Sequence, residues 1–448
     1  MENPNRASYY NEALSRKDPW PPVQVILELQ RQSGDLLYSV WLQSVADFDV
    51  PGLTVRGTLP PGAGFKDCWT SEPGKNPGKI DEEQVSWYNL LVPAHGKVGP
   101  FTYRLRHSGE RNVVSRAWVE RGGVTLAFSR EVAWHPRVRM YSGHDHLMHR
   151  VPAYVALQKG WFQDEGIGEV EIGFTGDDDH TIQAMQEGKV DIGLDIKPNK
   201  VFTAVAKGVP ILIIGGWRAM DPYIFFGAKG LRSVKDIKKM QMREKDGVEI
   251  VHKEKILRAH GLDLYKDVQW LETGPSLAAI RKPLLDQGKV DAVTVRFGDS
   301  EAQRLVEEGY PVLADLSDFY PDGYQSRILA AGRAMVEKYP LTVKGILKGI
   351  VRAYRFMAQA ENHDEIHRLL NEAGAQWIEH DPYTYPNRGD FAVFVRSVNP
   401  TDGSINRRGL KLALEDTIRR GQVREGFSLE SVINTDLVEE AARELGLR

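Results

Sequence analysis

At 448 residues the chain has room for two or three domains, and its 42% hydrophobic and 27% charged residues are those of an ordinary globular protein. The formal net charge of -3 gives no reason to expect a nucleic-acid partner or an anionic membrane surface. One cysteine, Cys68, excludes an internal disulfide and any cysteine-based zinc or iron–sulfur site.

Residues 1–22 read as a polar arm ending in DPWPP. The arm lacks a basic start followed by an apolar run, so the sequence as it stands is expected in the cytoplasm. An export signal upstream would move it to the periplasm or the cell surface. No window reaches the apolar length of a membrane span, and the densest, 209–216, is too short. Residues 23–135 are β in texture. VQVILELQ, LLYSVWLQSV, LTVRGTL, QVSWYNLLV, FTYRLRH, VVSRAWVE and VTLAFSREVAW alternate apolar and polar residues, with Gly, Pro, Asn and Asp between them. An all-β sandwich of immunoglobulin type is expected, with Trp41, Trp69, Trp87, Phe101 and Tyr103 as core candidates. The LPPGAGF turn and the VSWYNLLVP and FTYRLR strands resemble the Ig-like modules of bacterial surface proteins. Such a module carries no catalytic motif and implies contact with a transporter or another partner protein.

From residue 136 strands and helices alternate. RVRMYS reads as a strand, GHDHLMHR as a polar loop with three histidines, and a helix opens at Pro152. Further strands are expected at VEIGF, VDIGLDI, PILIIGG, YIFFGA, VEIV, VQWLE, VDAVTVR and PVLADL. Helices are expected between them, at 181–187, 200–207, 234–239, 252–260, 275–287 and 300–308. From 335 the chain reads as mostly helical. QEGKVD at 186–191 is echoed by DQGKVD at 286–291, each leading from a helix through Gly into a strand. The echo is either a common joint or the mark of two similar lobes presenting such units to a shared cleft.

PAYVALQKGWFQDEGIGEVEI, IQAMQEGKVDIGL, GLRSVKDIKK, LRAHGLDLYKDVQW, LLDQGKVDAVTV and KYPLTVKGILKGIVRAYRFM follow one another over 136 to about 360. In that order they resemble type II periplasmic binding proteins, nearest to the alkanesulfonate, taurine and thiamine-pyrimidine group. The resemblance implies an α/β clamp: lobe one at 136–225 and 330–448, lobe two at 226–329. A solute would be closed between the lobes by hinge motion. The same fold resembles cytoplasmic enzymes, namely the fungal thiamine-pyrimidine synthases and 4,5-dihydroxyphthalate decarboxylase. The synthases' Cys-rich iron motif has no counterpart here.

Candidate chemistry sits where strands end. His144, His146 and His149, with Asp145, can contact a ligand, serve as acid and base, or hold a divalent zinc or iron ion. Asp177–Asp179 and His180 cap a helix, with Asp179 as the N-cap, or form a second cleft loop. Asp195, Lys197, Asn199 and Lys200 suit a carboxylate, sulfonate or phosphate, or are solvated charge. Trp217 and Arg218 suit a planar anion; otherwise Arg218 pairs with Asp221. Arg243 and Glu244 read as an ion pair. Thr273, Gly274, Pro275 and Ser276 open a helix whose exposed N–H groups can hold an anion, or they simply cap it, and Arg296 either faces the cleft or pairs with Asp299 or Glu301. Two functions fit. One is a binder of a small anionic or heteroaromatic solute, as in ABC-transporter uptake. The other is a cytoplasmic decarboxylase or lyase of an aromatic acid, working through His144, His146 and His149.

Overall fold

The computed structural model describes residues 21–32, 34–61, 63–71, 78–81, 83–106, 113–144, 149–219, 223–242, 248–273, 280–296, 300–374 and 401–447. The chain divides into two compact units: Met1–Val138 with Phe162–Val170, and Arg139–Trp161 with Glu171–Arg448.

In the first unit, β1 (Val23–Gln32), β2 (Asp35–Ser44), β3 (Val50–Thr58), β4 (Gly64–Thr70), β5 (Lys79–Asp81), β6 (Gln84–Val92), β7 (Lys97–Arg106), β8 (Val113–Ser115), β9 (Ala117–Arg121) and β10 (Val124–Phe128) follow in order. They build two sheets, β1-β2-β7-β4 and β10-β9-β3-β6-β5. Period-two alternation decides what enters their common core. Tyr38, Val40 and Leu42 of β2 point inward, and Tyr38 stacks on Tyr103 with ring centres 5.0 Å apart. Trp69, Trp87 and Phe101 are buried with them. Trp41 is the exception among the expected core residues. It falls on the outer phase of β2, donates from Nε1 to Glu28 Oε2 at 3.2 Å, and lies under the Lys97 ammonium at 4.2 Å.

The second unit holds two mixed sheets. One runs β12 (Ile167–Phe174), β11 (Val132–Ser142), β13 (Ile192–Ile196), β20 (Arg327–Gly332), β14 (Ile211–Arg218). The other runs β17 (Gln269–Glu272), β16 (Lys239–Met242), β18 (Ala292–Arg296), β15 (Tyr223–Gly227), β19 (Val312–Asp315). Strand β13 is parallel to β11, and β20 runs against both β13 and β14. Each sheet with its helices forms one lobe of a two-lobed α/β fold. The chain passes between lobes twice, after β14 and before β20. There Tyr324 N–H donates to Ala219 O (3.0 Å) and Ser326 N–H to Arg218 O (3.1 Å). These bonds tie the crossovers side by side. Among the described residues no helix is long and apolar enough to cross a membrane.

The GKVD echo is one joint used twice. Gly188 and Gly288 take positive φ (68° and 61°), which a helix C′ position requires. Asp191 Oδ2 then accepts from the Arg139 N–H at 2.7 Å, and Asp291 Oδ2 from the Lys238 and Lys239 N–H groups at 2.8 Å each. Asp291 thus holds the start of β16, and Asp191 holds β11 just before it pairs with β13 at Met140. Both joints lie at the amino ends of β13 and β18, so they build the lobes and do not face the strand-end site.

Two expected elements change type. VEIV is part of the helix Val248–Ala259, because Ile250 and Leu257, one heptad apart, bury one helical face and override the β-branched run. The helix expected at 234–239 is a single 3₁₀ turn, Val234–Asp236, capped by Ser233. Asp291 draws the next residues into β16.

Candidate functional site

The site is built at one end of the first lobe's sheet. Strands β11, β12, β13 and β14 end there, and the antiparallel β20 begins there. Three features of the backbone bring charge together. Arg218 and Arg327 are register partners on β14 and β20. A register shift between Gly193 and Ile196 re-aims β13 beside β20. Within that shift Asp195 adopts a left-handed backbone, φ +56°, which Asp tolerates better than most residues.

Asp195 is the hub and is 1% exposed. It accepts from Arg218 Nε and Nη2 at 2.8 Å each, a bidentate pair. Arg327 Nε stands 3.7 Å away. His149 Nδ1 hydrogen-bonds the same carboxylate. His149, Arg218 and Arg327 are themselves buried. A buried carboxylate with such partners offsets the cost of desolvating them, and removing it would leave the guanidinium groups without their counter-charge.

The loop after β11 closes one side. Ser142 Oγ donates to His144 O (2.8 Å), and Arg150 Nη1 donates to His144 O (2.7 Å) and to Ser142 Oγ (3.2 Å). The His144 ring lies 4.8 Å from that of His149. Burial pushes the His144 imidazole down to about 4, Arg327 and Lys197 add to that, and Asp178 and Asp195 oppose it. The ring is therefore neutral near pH 7. Gly143 allows the loop its close approach to the helix Asp178–Gln186 that follows β12. A Cβ at this position would lie 2.4 Å from Asp178 Oδ1 and 2.5 Å from the Asp178 N.

The segment after β12 is a capped helix start. The N-cap is Asp177, not Asp179 as the sequence suggested, and its Oδ1 accepts from the His180 N–H at 2.7 Å. His180 is exposed beside Asp177. Asp179 reaches out to Lys200. Asp178 instead is buried, 3.7 Å from Lys197 Nζ. Trp217 is fully buried, edge-on to Tyr354 at 6.0 Å, and Tyr354 donates to Gly216 O at 3.0 Å. It packs beneath the site as core, and Arg218 takes Asp195 as its partner.

The structure thus gathers His144, His149, Asp195, Lys197 and Arg218 and leaves His180 on the surface. His146, Asp145, Asp221, Arg243, Glu244, Gly274, Pro275, Ser276, Asp299 and the Arg296 side chain lie outside the described residues. Arg281 meets Glu301 at 3.3 Å. Among the described residues no three His, Cys, Asp or Glu side chains gather as a metal-holding group. Arg150, Arg327 and Ser142 belong to the site although the sequence reading passed over them. The signal available was a lone arginine at each boundary of an apolar segment, in HRVPAYVA and QSRILAAG.

The second lobe's strand ends carry different chemistry. Buried Gln241 donates from Nε2 to Thr273 Oγ1 at 2.8 Å, and buried Lys253 Nζ donates to Gln241 O at 2.7 Å. Thr273 therefore sits in a hydrogen-bonded strand-end group.

Known proteins bear on this geometry. The model of a family described as NMT1/THI5 like matches residues 148–363, a little under half of the chain. A putative periplasmic sulfonate-binding protein SsuA from Methylobacillus flagellatus superposes with a TM-score of 0.54 at 17% identity, covering 70% of this chain and 95% of its own. A mutant of DSZB in complex with biphenyl-2-sulfinic acid gives a TM-score of 0.51 at 11% identity, covering 69% and 99%. These likenesses establish the fold, that of periplasmic-binding-protein-like clamps. No curated protein matches the chain.

Proposed function

We propose that the protein binds a small anion, organic or inorganic, in the cleft between the two α/β lobes. One observation carries the reading. The described residues at the first lobe's strand ends hold four cationic side chains, Arg150, Lys197, Arg218 and Arg327, and two carboxylates, Asp178 and Asp195. Three of the cations are guanidinium groups that are 5% exposed or less. Buried guanidinium groups set in a fixed frame attract and orient an anion strongly, because little water screens them. The likeness to a sulfonate-binding protein and to a protein crystallised with a sulfinic acid supports the same reading at the level of fold. The pair of antiparallel sheets at the N-terminus would then be an Ig-like module for a transporter or another partner protein.

The test is thermal unfolding and calorimetry with sulfate, nitrate, ethanesulfonate, benzoate and benzenesulfinate. At least one should stabilise the fold by about 2.7 kcal/mol at one hundred times its Kd. The Arg327→Gln variant should bind that anion about tenfold more weakly. A protein that none of them stabilises would sink the reading.

A second reading rests on the buried His149–Asp195 pair beside a neutral His144. Such a pair can move a proton, which suits a decarboxylase or lyase of an aromatic acid. Release of carbon dioxide from a benzoate-type acid, lost in His149→Gln, would favour the enzyme; an anion recovered unchanged favours the binder.

A further inference from the structure

The two lobes meet a second time away from the Asp195 cluster. Helix Val248–Ala259 belongs to the second lobe and helix Arg407–Arg419 to the first. Between them lies a cavity of about 230 Å³, bordered also by Tyr320 of the segment that leads into the second crossover. Its ionic border links three elements. Arg419 Nη1 donates to Glu254 Oε1 at 3.2 Å and Arg419 Nη2 to Asp416 Oδ1 at 2.7 Å. Asp416 Oδ2 in turn accepts from the Tyr324 hydroxyl at 3.4 Å. Tyr324 is the crossover residue whose N–H is bonded to Ala219 O, on the other crossover. Glu254 is also held by Arg258 at 2.7 Å, so it is braced from its own helix. Lys255 stands over the Tyr320 ring at 3.7 Å.

One guanidinium therefore joins a carboxylate of the second lobe to a carboxylate of the first, and that second carboxylate is tied to the hinge itself. The side chains of Glu254 and Asp416 are 12% and 21% exposed, so the bridge is screened less than an ordinary surface pair. Val251 of one helix and Leu412 of the other also border the cavity.

We propose that Arg419, with Glu254 and Asp416, is a latch across the hinge that sets the balance between open and closed lobes. Lobe closure in a hinged clamp is a two-state balance, and a part-exposed bridge made in one state shifts that ratio about twofold to fivefold.

The test needs no ligand, so it stands or falls apart from the anion reading. The single cysteine makes it clean. In a Cys68→Ser background, spin labels at Lys189→Cys in the first lobe and Tyr265→Cys in the second report the inter-lobe distance by electron–electron double resonance. Arg419→Met should change the distance distribution by about twofold to fivefold in population ratio. Glu254→Gln should change it in the same direction, and the double variant no further than the larger single effect. Arg407→Met removes a bridge to Glu430 within the first lobe and should leave the distribution unchanged. Identical distributions in the parent, Arg419→Met and Glu254→Gln proteins would overturn the proposal. A response to Arg419→Met that Glu254→Gln does not share would also overturn it.

Discussion

The two lobes share a joint and a strand–helix texture, yet they treat buried charge in opposite ways. The first lobe collects Arg218, Arg327 and His149 on one carboxylate, Asp195, at its strand ends. At the matching ends of the second lobe, Lys253 is buried on a backbone carbonyl, and Gln241 and Thr273 hydrogen-bond each other. Scaffold and site are thus separable. Asp191 and Asp291 build the same joint in both lobes, whereas among the described residues the guanidinium groups gathered on one carboxylate stand at the strand ends of the first lobe. In this contrast the first lobe would hold an anion through guanidinium groups set around one carboxylate.

The comparison breaks most readily at Asp195. Asp195→Ala leaves two guanidinium groups facing each other without their common acceptor, and loss of one partner from a buried ion pair costs about 3–5 kcal/mol. The urea midpoint should fall accordingly at unchanged slope. A loss under about 1 kcal/mol would mean that water already solvates the cluster. Lys253→Met sharpens the other half of the contrast. The ammonium donates to a carbonyl, and an apolar chain of similar length keeps the packing, so a loss of about 1–2 kcal/mol is expected in the same assay. If this variant proved the more damaging of the two, charge would matter more in the second lobe and the contrast would be reversed.

Much of the fold is legible in the sequence because strands, helices and Gly-terminated joints are local in period and chemistry. The site is legible only in part. HDHLMHR and LDIKPNK announce themselves as polar segments ending apolar strands, and His144, His149, Asp195 and Lys197 follow from that. Arg327 does not, because it precedes an apolar strand more than one hundred residues from Asp195, and only the antiparallel insertion of β20 between β13 and β14 brings it there. Trp217 misleads for a related reason. A tryptophan at a strand end looks like a stacking platform, but β14 is covered on both faces and its ring enters the core. VEIV misleads because β-branched residues carry a local strand signal, whereas the buried face of its helix is set by residues up to a heptad away.

The smallest effect is a pH dependence that belongs to the first lobe alone. Burial holds His144 at about 4 in the folded protein, below the value near 6.5 of an exposed imidazole. Between those values the unfolded chain binds a proton that the folded chain excludes, so stability rises with pH through this window. Above about 6.5 both states are neutral at His144 and the residue contributes no slope. As pH falls below 6.5 the unfolded state gains, and the gain levels off below about 4. From pH 7 to 6 the contribution is about 1 kcal/mol or less. Urea unfolding of the parent and of His144→Gln at pH 7 and 6 isolates it, since the other titrating groups are common to both proteins. The parent should lose more stability than the variant over that step. Equal losses would mean that His144 is solvated, and the loop after β11 would then be open to water and not packed against the Asp195 cluster.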